Sequence, residues 1–223
     1  PDFARQMDLL LRTCRAVPLD ADPALLDGVR YAAVTFDDAL RGVAEVAAPV
    51  LRTRGIPFTV FAPSACLGRP VGWTPDGTPG AGAVMSPEEL RSLAPGLCTV
   101  GSHTRHHVRL TAASREVALQ ELVGSRKELH AVTGRWPDLV AFPYGSYNEQ
   151  VLAWCREAGY RRAFGLLPRP RLADGQFLVG RLAASPQDTN LEFRLKLLGA
   201  YDWLPRASVF KRRLMSWNGR ATA

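Results

Sequence analysis

Two short runs hold the side chains with the most chemical reach, Thr35-Phe36-Asp37-Asp38 and His103-Thr104-Arg105-His106-His107. Between them they offer two imidazoles and a carboxylate as ligands for a divalent ion, with one further carboxylate left over. A catalytic zinc keeps three protein ligands so that a water retains its own coordination position. Such a water falls in pKa from about 15.7 toward about 7, and the ion can also polarise a carbonyl oxygen. A carboxylate that is not a ligand can then take the proton from the water. Asp38, His103 and His107 would make the metal set and leave Asp37 as the base, the inventory of metal-assisted hydrolysis.

Each run also has a plainer explanation. An Asp pair after a strand commonly forms a turn or caps a helix, because its oxygens accept from exposed backbone N–H groups. Two His at i and i+4 share a helix face, but that spacing alone is a weak signal, and His103 with His106 is a competing i, i+3 pair. Context separates the readings. Both runs follow short apolar stretches, Tyr31-Ala32-Ala33-Val34 and Leu97-Cys98-Thr99-Val100, that read as buried strands. Barrel enzymes place their chemistry at the C-terminal ends of such strands.

Three motifs in order then carry a resemblance: Thr35-Phe36-Asp37-Asp38, Gly101-Ser102-His103-Thr104-Arg105-His106-His107 and Phe142-Pro143-Tyr144-Gly145. With Met85-Ser86-Pro87-Glu88-Glu89-Leu90 and Glu157-Ala158-Gly159-Tyr160, the chain from Phe3 to Ser185 resembles the polysaccharide deacetylases of carbohydrate esterase family 4, the NodB-homology domain. The resemblance implies that Asp37 is the general base and that Asp38, His103 and His107 hold a divalent metal, with Zn2+ expected and Co2+ or Ni2+ as substitutes. It implies that the Tyr144 backbone N–H donates to a tetrahedral oxyanion and that Pro143 shapes the turn beside the substrate. It further implies removal of N-acetyl groups from an N-acetylated bacterial poly- or oligosaccharide, in surface glycan or exopolysaccharide biosynthesis. A deformylase or deacylase of a lipid-linked sugar, and a noncatalytic glycan-binding module, are the alternatives.

The chain departs from the family pattern in three places. Many members carry an Arg two residues before the Pro of the third motif, where it braces the catalytic Asp; here that residue is Ala141. The late Leu-x-His motif that usually supplies the general acid is missing, since the last His is His130. The segment Phe177-Leu178-Val179-Gly180-Arg181-Leu182 stands at about the right place and ends in Arg and Leu. The acid is therefore unassigned, with Asp37 returning its proton or His106 approaching the site as candidates. Ala39 follows the first motif in place of the commoner Gly, which restricts the backbone there.

Bulk properties agree with one enzyme domain. A chain of 223 residues is long enough to bury a full core, and α/β barrels of this size are common as single domains. Lys and Arg number 28 against 21 Asp and Glu, a net charge of +7, which suits anionic partners. No nucleic-acid-binding module is recognisable, so nucleic acid is not expected as a partner. Cys14, Cys66, Cys98 and Cys155 form no CxxC pair and read as free thiols, which fits a reducing, cytoplasmic setting. The start Pro1-Asp2-Phe3-Ala4-Arg5 does not read as a signal peptide, and no apolar run has the length a membrane span needs. The chain starts at Pro1 without Met, so a segment upstream is expected to be missing.

The elements that must position the motifs alternate. Phe3 to Cys14 reads as a helix with Phe3, Met7, Leu10, Leu11 and Cys14 on one face. Ala39 to Arg54 reads as a helix kinked at Pro49 and stopped by Gly55. Pro57 to Ala62 is a strand, and Ser86-Pro87-Glu88-Glu89 is a capping box opening a helix. Residues 68–82 form an irregular segment whose Trp73 could stack on a sugar, although a loop Trp more often anchors its loop to the core. Ser114 to Thr133 is the longest helix, with Ala118, Leu122, Ser125, Leu129 and Val132 facing inward. Leu139 to Phe142 is a strand, Asn148 caps a helix to Ala158, and strands are expected near Arg162 to Gly165 and Phe177 to Leu182. Alternation of this kind predicts a parallel sheet wrapped by helices, and the resemblance narrows it to a distorted, incomplete (β/α) barrel. The deacetylase-like domain is expected over 1–185, with 1–28 as a helix and loop leading into it. Residues 186–223 are expected to form a basic, helical extension packed on the domain. Its stretch from Arg206 to Arg220 mixes Lys211-Arg212-Arg213 with Val209, Phe210, Leu214, Met215 and Trp217, a composition that could also lie on an anionic membrane surface.

Overall fold

The computed structural model describes residues 2–26, 28–73, 82–166 and 175–200. Helix α1 (Asp2–Thr13) buries Met7, Leu10 and the adjoining Cys14. Leu11, expected on the same face, is 43% exposed, because successive helical residues point about 100° apart and only Leu10 meets the core. After α1, strand β1 (Arg15–Ala16) pairs in parallel with β2 (Tyr31–Ala32).

Six further strands make the main sheet among the described residues: β3 (Val34–Phe36), β4 (Phe58–Ala62), β5 (Cys98–Ser102), β6 (Leu139–Ala141), β7 (Arg162–Gly165) and β8 (Leu178–Gly180). They lie side by side in chain order and every neighbouring pair is parallel. Sequential parallel order is what helical crossovers of one hand produce as a sheet curls toward closure. Here it stops short, leaving β3 and β8 as edges, and the result is the incomplete (β/α) barrel that the motifs implied. The apolar stretch Tyr31 to Val34 is not one buried strand; it is divided between β2 and β3 and is only half-buried.

Side-chain alternation sorts the core into an inner and an outer layer. Phe61, Leu139, Ala141, Phe164 and Val179 cluster on the concave face. On the opposite face, Phe58, Val60 and Ala62 pack with Leu51, Leu90 and Leu93 from the covering helices. Val140 meets the second helical layer through Ala118, Leu122, Val151 and Cys155.

The helices follow their local signals with one exception. Helix α3 (Pro87–Leu93) starts at a complete capping box, Ser86 accepting from the Glu89 N–H while Glu89 accepts from the Ser86 N–H. Ser114 caps helix α4 (Arg115–Thr133), which ends at Gly134 with a φ of 72°. Asn148 caps α5 (Glu149–Glu157). The exception lies before Pro49, where the helix expected to kink at that residue has a π-helical turn at Val43–Ala47 followed by α2 (Ala48–Thr53). Pro49 has no N–H for the carbonyl one turn earlier, and the ladder slips so that the Ala48 N–H reaches back to Val43 O.

Helix α6 (Asn190–Leu197) packs against α1 and buries Phe193. The basic stretch from Arg206 to Arg220 lies outside the described residues, as does most of the irregular segment after Trp73. No helix among the described residues is long and apolar enough to cross a membrane. The four cysteines are free thiols, and burial pushes Cys98 and Cys155 up to about 12.

Candidate active site

Three turns meet at the C-terminal mouth of the sheet. Asp37 and Asp38 leave the end of β3, His103 to His107 leave β5, and Pro143-Tyr144-Gly145 leaves β6 one residue on. All five non-glycine residues with positive φ among the described residues lie in these turns: Asp38 at 66°, Ala39 at 49°, Thr104 at 64°, His107 at 57° and Tyr144 at 58°. Left-handed backbone costs a side-chain-bearing residue about 1 kcal/mol or more, and such strain concentrates where a group must face a ligand. The restriction expected from Ala39 is therefore real: it holds its left-handed angle while fully buried.

Asp38, His103 and His107 converge, with one ligand atom from each lying within 4.8 Å of the others. Asp38 Oδ1 is 3.1 Å from His107 Nε2 and 3.5 Å from His103 Nε2. Ligand atoms about 2.1 Å from an ion at tetrahedral angles sit roughly 3.4 Å apart, so the spacing suits a small divalent cation. His103 Nδ1 lies 2.8 Å from Ala141 O. A carbonyl can only accept, so Nδ1 carries the hydrogen and Nε2 presents its lone pair to the cluster. Burial pushes the His103 imidazole below its usual pKa against the raising pull of Asp37 and Asp38, which favours the neutral ring a ligand requires.

Asp38 Oδ1 supplies an independent sign of fit. It is buried and, despite its closeness to His107, hydrogen-bonds to nothing. A buried anionic oxygen in that condition is costly in an ordinary protein interior. A cation between it and the two Nε2 atoms would satisfy all three donors at once.

His107 is held by rings. Its imidazole stacks on Trp73 at 4.3 Å between centroids and 20° between planes, and the Tyr144 ring meets it edge-on at 4.8 Å. The Trp73 face toward the site is thus occupied by His107, and the residue packs against the main core, as an anchoring Trp would. Tyr144 is 49% exposed at the rim, with the Arg109 guanidinium 4.5 Å from its ring centre. The turn that carries it is closed by Gly145 N–H donating to Phe142 O and Ser146 N–H to Pro143 O. Neither bond uses the Tyr144 N–H.

Asp37 meets a residue that the motifs did not assign. Arg181, the residue after β8, grips it with both arms: Nη1 donates to Oδ1 at 2.6 Å and Nη2 to Oδ2 at 2.8 Å, while Nη1 also reaches Thr35 Oγ1. Burial pushes the Asp37 carboxyl up, but the hydrogen bonds and charge of Arg181 outweigh it and hold the group below the usual carboxylate range. The brace missing at Ala141 is supplied from another strand, and the Ala141 carbonyl orients His103 instead. The only sequence signal is Arg181 itself, next to last in the run that stands where the family carries its late His.

His106 is not among the clustered ligand atoms, and its Nδ1 lies 2.6 Å from Glu121 Oε1 on α4.

The chain matches the sequence model of the polysaccharide deacetylase family over residues 27–163. It is 24% identical over 154 residues to a protein of Bacillus subtilis strain 168 with the provisional name polysaccharide deacetylase YxkH, a match covering 69% of this chain. The match takes in 51% of that protein, so the chain spans about half the length of this curated relative. Among solved structures, IcaB from Ammonifex degensii is similar at a TM-score of 0.74 and 25% identity, over 90% of this chain and 88% of that one. A de-N-acetylase from Aggregatibacter actinomycetemcomitans shares the fold at a TM-score of 0.71 and 18% identity, over 83% and 84% of the two chains.

Proposed function

This chain belongs to the polysaccharide deacetylase family, and from that membership we propose that it is a metal-dependent hydrolase removing N-acetyl groups from an N-acetylated bacterial poly- or oligosaccharide. The observation that carries the reading is the unsatisfied Asp38 Oδ1 facing two imidazole nitrogens, with a second carboxylate, Asp37, fixed beside it by Arg181. The match to the polysaccharide deacetylase model supports a polysaccharide substrate, and a surface glycan or exopolysaccharide is the class proposed.

Asp38, His103 and His107 hold the cation; two imidazoles and one carboxylate suit Zn2+, and Co2+ or Ni2+ accept the same donors. Bound there, the cation supplies a Lewis acid for the acyl oxygen and a water of lowered pKa. Asp37 takes a proton from the attacking water on a lone pair that Arg181 leaves open. The water oxygen bonds to the acyl carbon, and the Tyr144 N–H donates to the oxyanion that forms. A donor of this kind is worth roughly 3 to 4 kcal/mol in the transition state. Asp37 then returns its proton to the sugar nitrogen as the carbon–nitrogen bond breaks, and acetate and the free amine leave. Arg181 cannot serve as the acid because its guanidinium does not give up a proton in proteins.

The test is acetate and formate release from a panel of N-acylated glycans, before and after chelation, for the wild-type protein and Asp37→Asn. Acetate release that disappears on chelation and in the variant is expected. Release of formate alone would reassign the acyl group. Glycan binding with no turnover in metal-loaded protein would replace hydrolysis with a binding role, and activity that survives both treatments would reject the mechanism.

A further inference from the structure

Helix α4 presents a polar stripe to the back of the turn that carries the two imidazoles. Glu121, Gly124, Ser125 and Glu128 recur at helical spacing, so they share one face. The Glu121 side chain is 7% exposed, and its carboxylate meets three donors. Oε2 accepts from the Arg105 and His106 backbone N–H groups, both at 2.9 Å, and Oε1 pairs with the His106 ring. One helical turn on, Ser125 hydrogen-bonds Ser102 at 2.8 Å, and Ser102 in turn accepts the Thr104 N–H. Glu128 pairs with the Arg105 side chain and with Ser64. Gly124 leaves the path open: a Cβ there would fall 2.4 Å from Arg105 Cδ.

The opposite side of the same turn is also clamped, with Thr104 O and Arg105 O accepting from the Ser64 and Ala65 N–H groups. Two left-handed residues, Thr104 and His107, bound this clamped stretch. Strained backbone persists only when its surroundings over-determine it. The amides of Arg105 and His106 both donate to Glu121 Oε2.

We propose that Glu121 is a positioning residue for the cation: by holding the Arg105 and His106 amides and the His106 ring, it sets His107 Nε2 at the distance from His103 Nε2 and Asp38 that binding requires. Glu121 touches neither the cation nor the substrate, and it acts through the backbone between the two imidazoles. The inference rests on the metal-site reading above and extends it by a residue none of the three motifs contains.

The experiment compares Glu121→Ala, Glu121→Asp and Glu121→Gln in the full chain. It measures Zn2+ affinity by competition with a chromophoric chelator, the visible spectrum of the Co2+ form, and the melting temperature of the cation-free protein. Removing an outer partner of a ligand commonly costs about 10- to 100-fold in metal affinity. That loss, with an altered Co2+ spectrum, is expected for Glu121→Ala. It is expected too for Glu121→Asp, which keeps the charge but withdraws the carboxylate by one methylene. Glu121→Gln, whose amide oxygen can still accept from the amides, should recover most of the affinity. Should the Ala variant not fold, the Asp variant decides. Wild-type affinity and spectrum in a folded Ala or Asp variant would overturn the proposal and leave the metal site standing. A wild-type protein that binds Zn2+ no better than His103→Ala would overturn the metal site and the proposal together.

Discussion

Arg181 and Asp37 stand at opposite edges of the open sheet, one just past β8 and the other just past β3, and their two-armed ion pair joins those edges across the mouth. The guanidinium also lies 5.1 Å from the centre of the Phe61 ring, on the concave face. A closed barrel would bridge this gap with backbone hydrogen bonds. Here a side chain does so, and the residue it grips is the proposed base.

Replacing Arg181 with Met should therefore move two observables. Asp37 must be ionised to take a proton, and Arg181 keeps its pKa low. Without that charge the pKa rises, so the acid limb of the pH–rate profile should shift to higher pH. The pair also contributes stability that is complete above the ordinary Asp pKa of about 3.9 and is lost as pH falls through the lower folded value. Asp37 is 35% exposed at its side chain, so the loss of stability should be about 2 kcal/mol rather than the 3 to 5 of a fully buried pair. An unmoved acid limb would separate Arg181 from the base.

Asp38→Asn keeps a residue type that tolerates left-handed backbone but removes the buried anionic oxygen. The cation-free variant should be at least as stable as the wild type, because the oxygen it loses has no hydrogen-bond partner there. Zn2+ should raise the melting temperature of the wild type by mass action and leave the variant nearly unchanged. Paired thermal scans with and without Zn2+ read both effects.

Trp73→Ala distinguishes a ring that steadies His107 from one that stacks on sugar. Given the 4.3 Å stack, Zn2+ affinity should fall roughly tenfold, as for loss of an outer support. A raised KM with unchanged Zn2+ affinity would return Trp73 to the sugar-stacking role.

Tyr144→Phe should leave kcat within about threefold, since the oxyanion donor is a backbone N–H. A hundredfold loss of kcat would assign the chemistry to the phenol instead.

The legible parts of this protein were those written in local runs. Strand ends, caps and the three motifs sit in consecutive residues, so the Ser86 capping box and the Asp38, His103 and His107 cluster could be anticipated. Arg181 could not be paired with Asp37, because the contact spans 144 positions and depends on how far the sheet curls. Glu121 was hidden for a related reason. Periodicity marks the inward seam of α4 by apolar and small residues, whereas Glu121 is buried because donors from a distant turn converge on it. The π-helical turn before Pro49 depends on a ladder slip that Pro permits without specifying.

The five left-handed side-chain-bearing residues among those described bear on any attempt to make this protein tolerate heat. Relaxing a positive-φ position to glycine is a common route to a hardier variant, and here every such position among the described residues lies in the turns that carry the proposed cation ligands and oxyanion donor. Thermal improvement would have to come from the periphery, for instance from the solvent-facing leucines Leu191 and Leu198 near the end of the described chain. The mouth of the barrel would keep its tension as a working part.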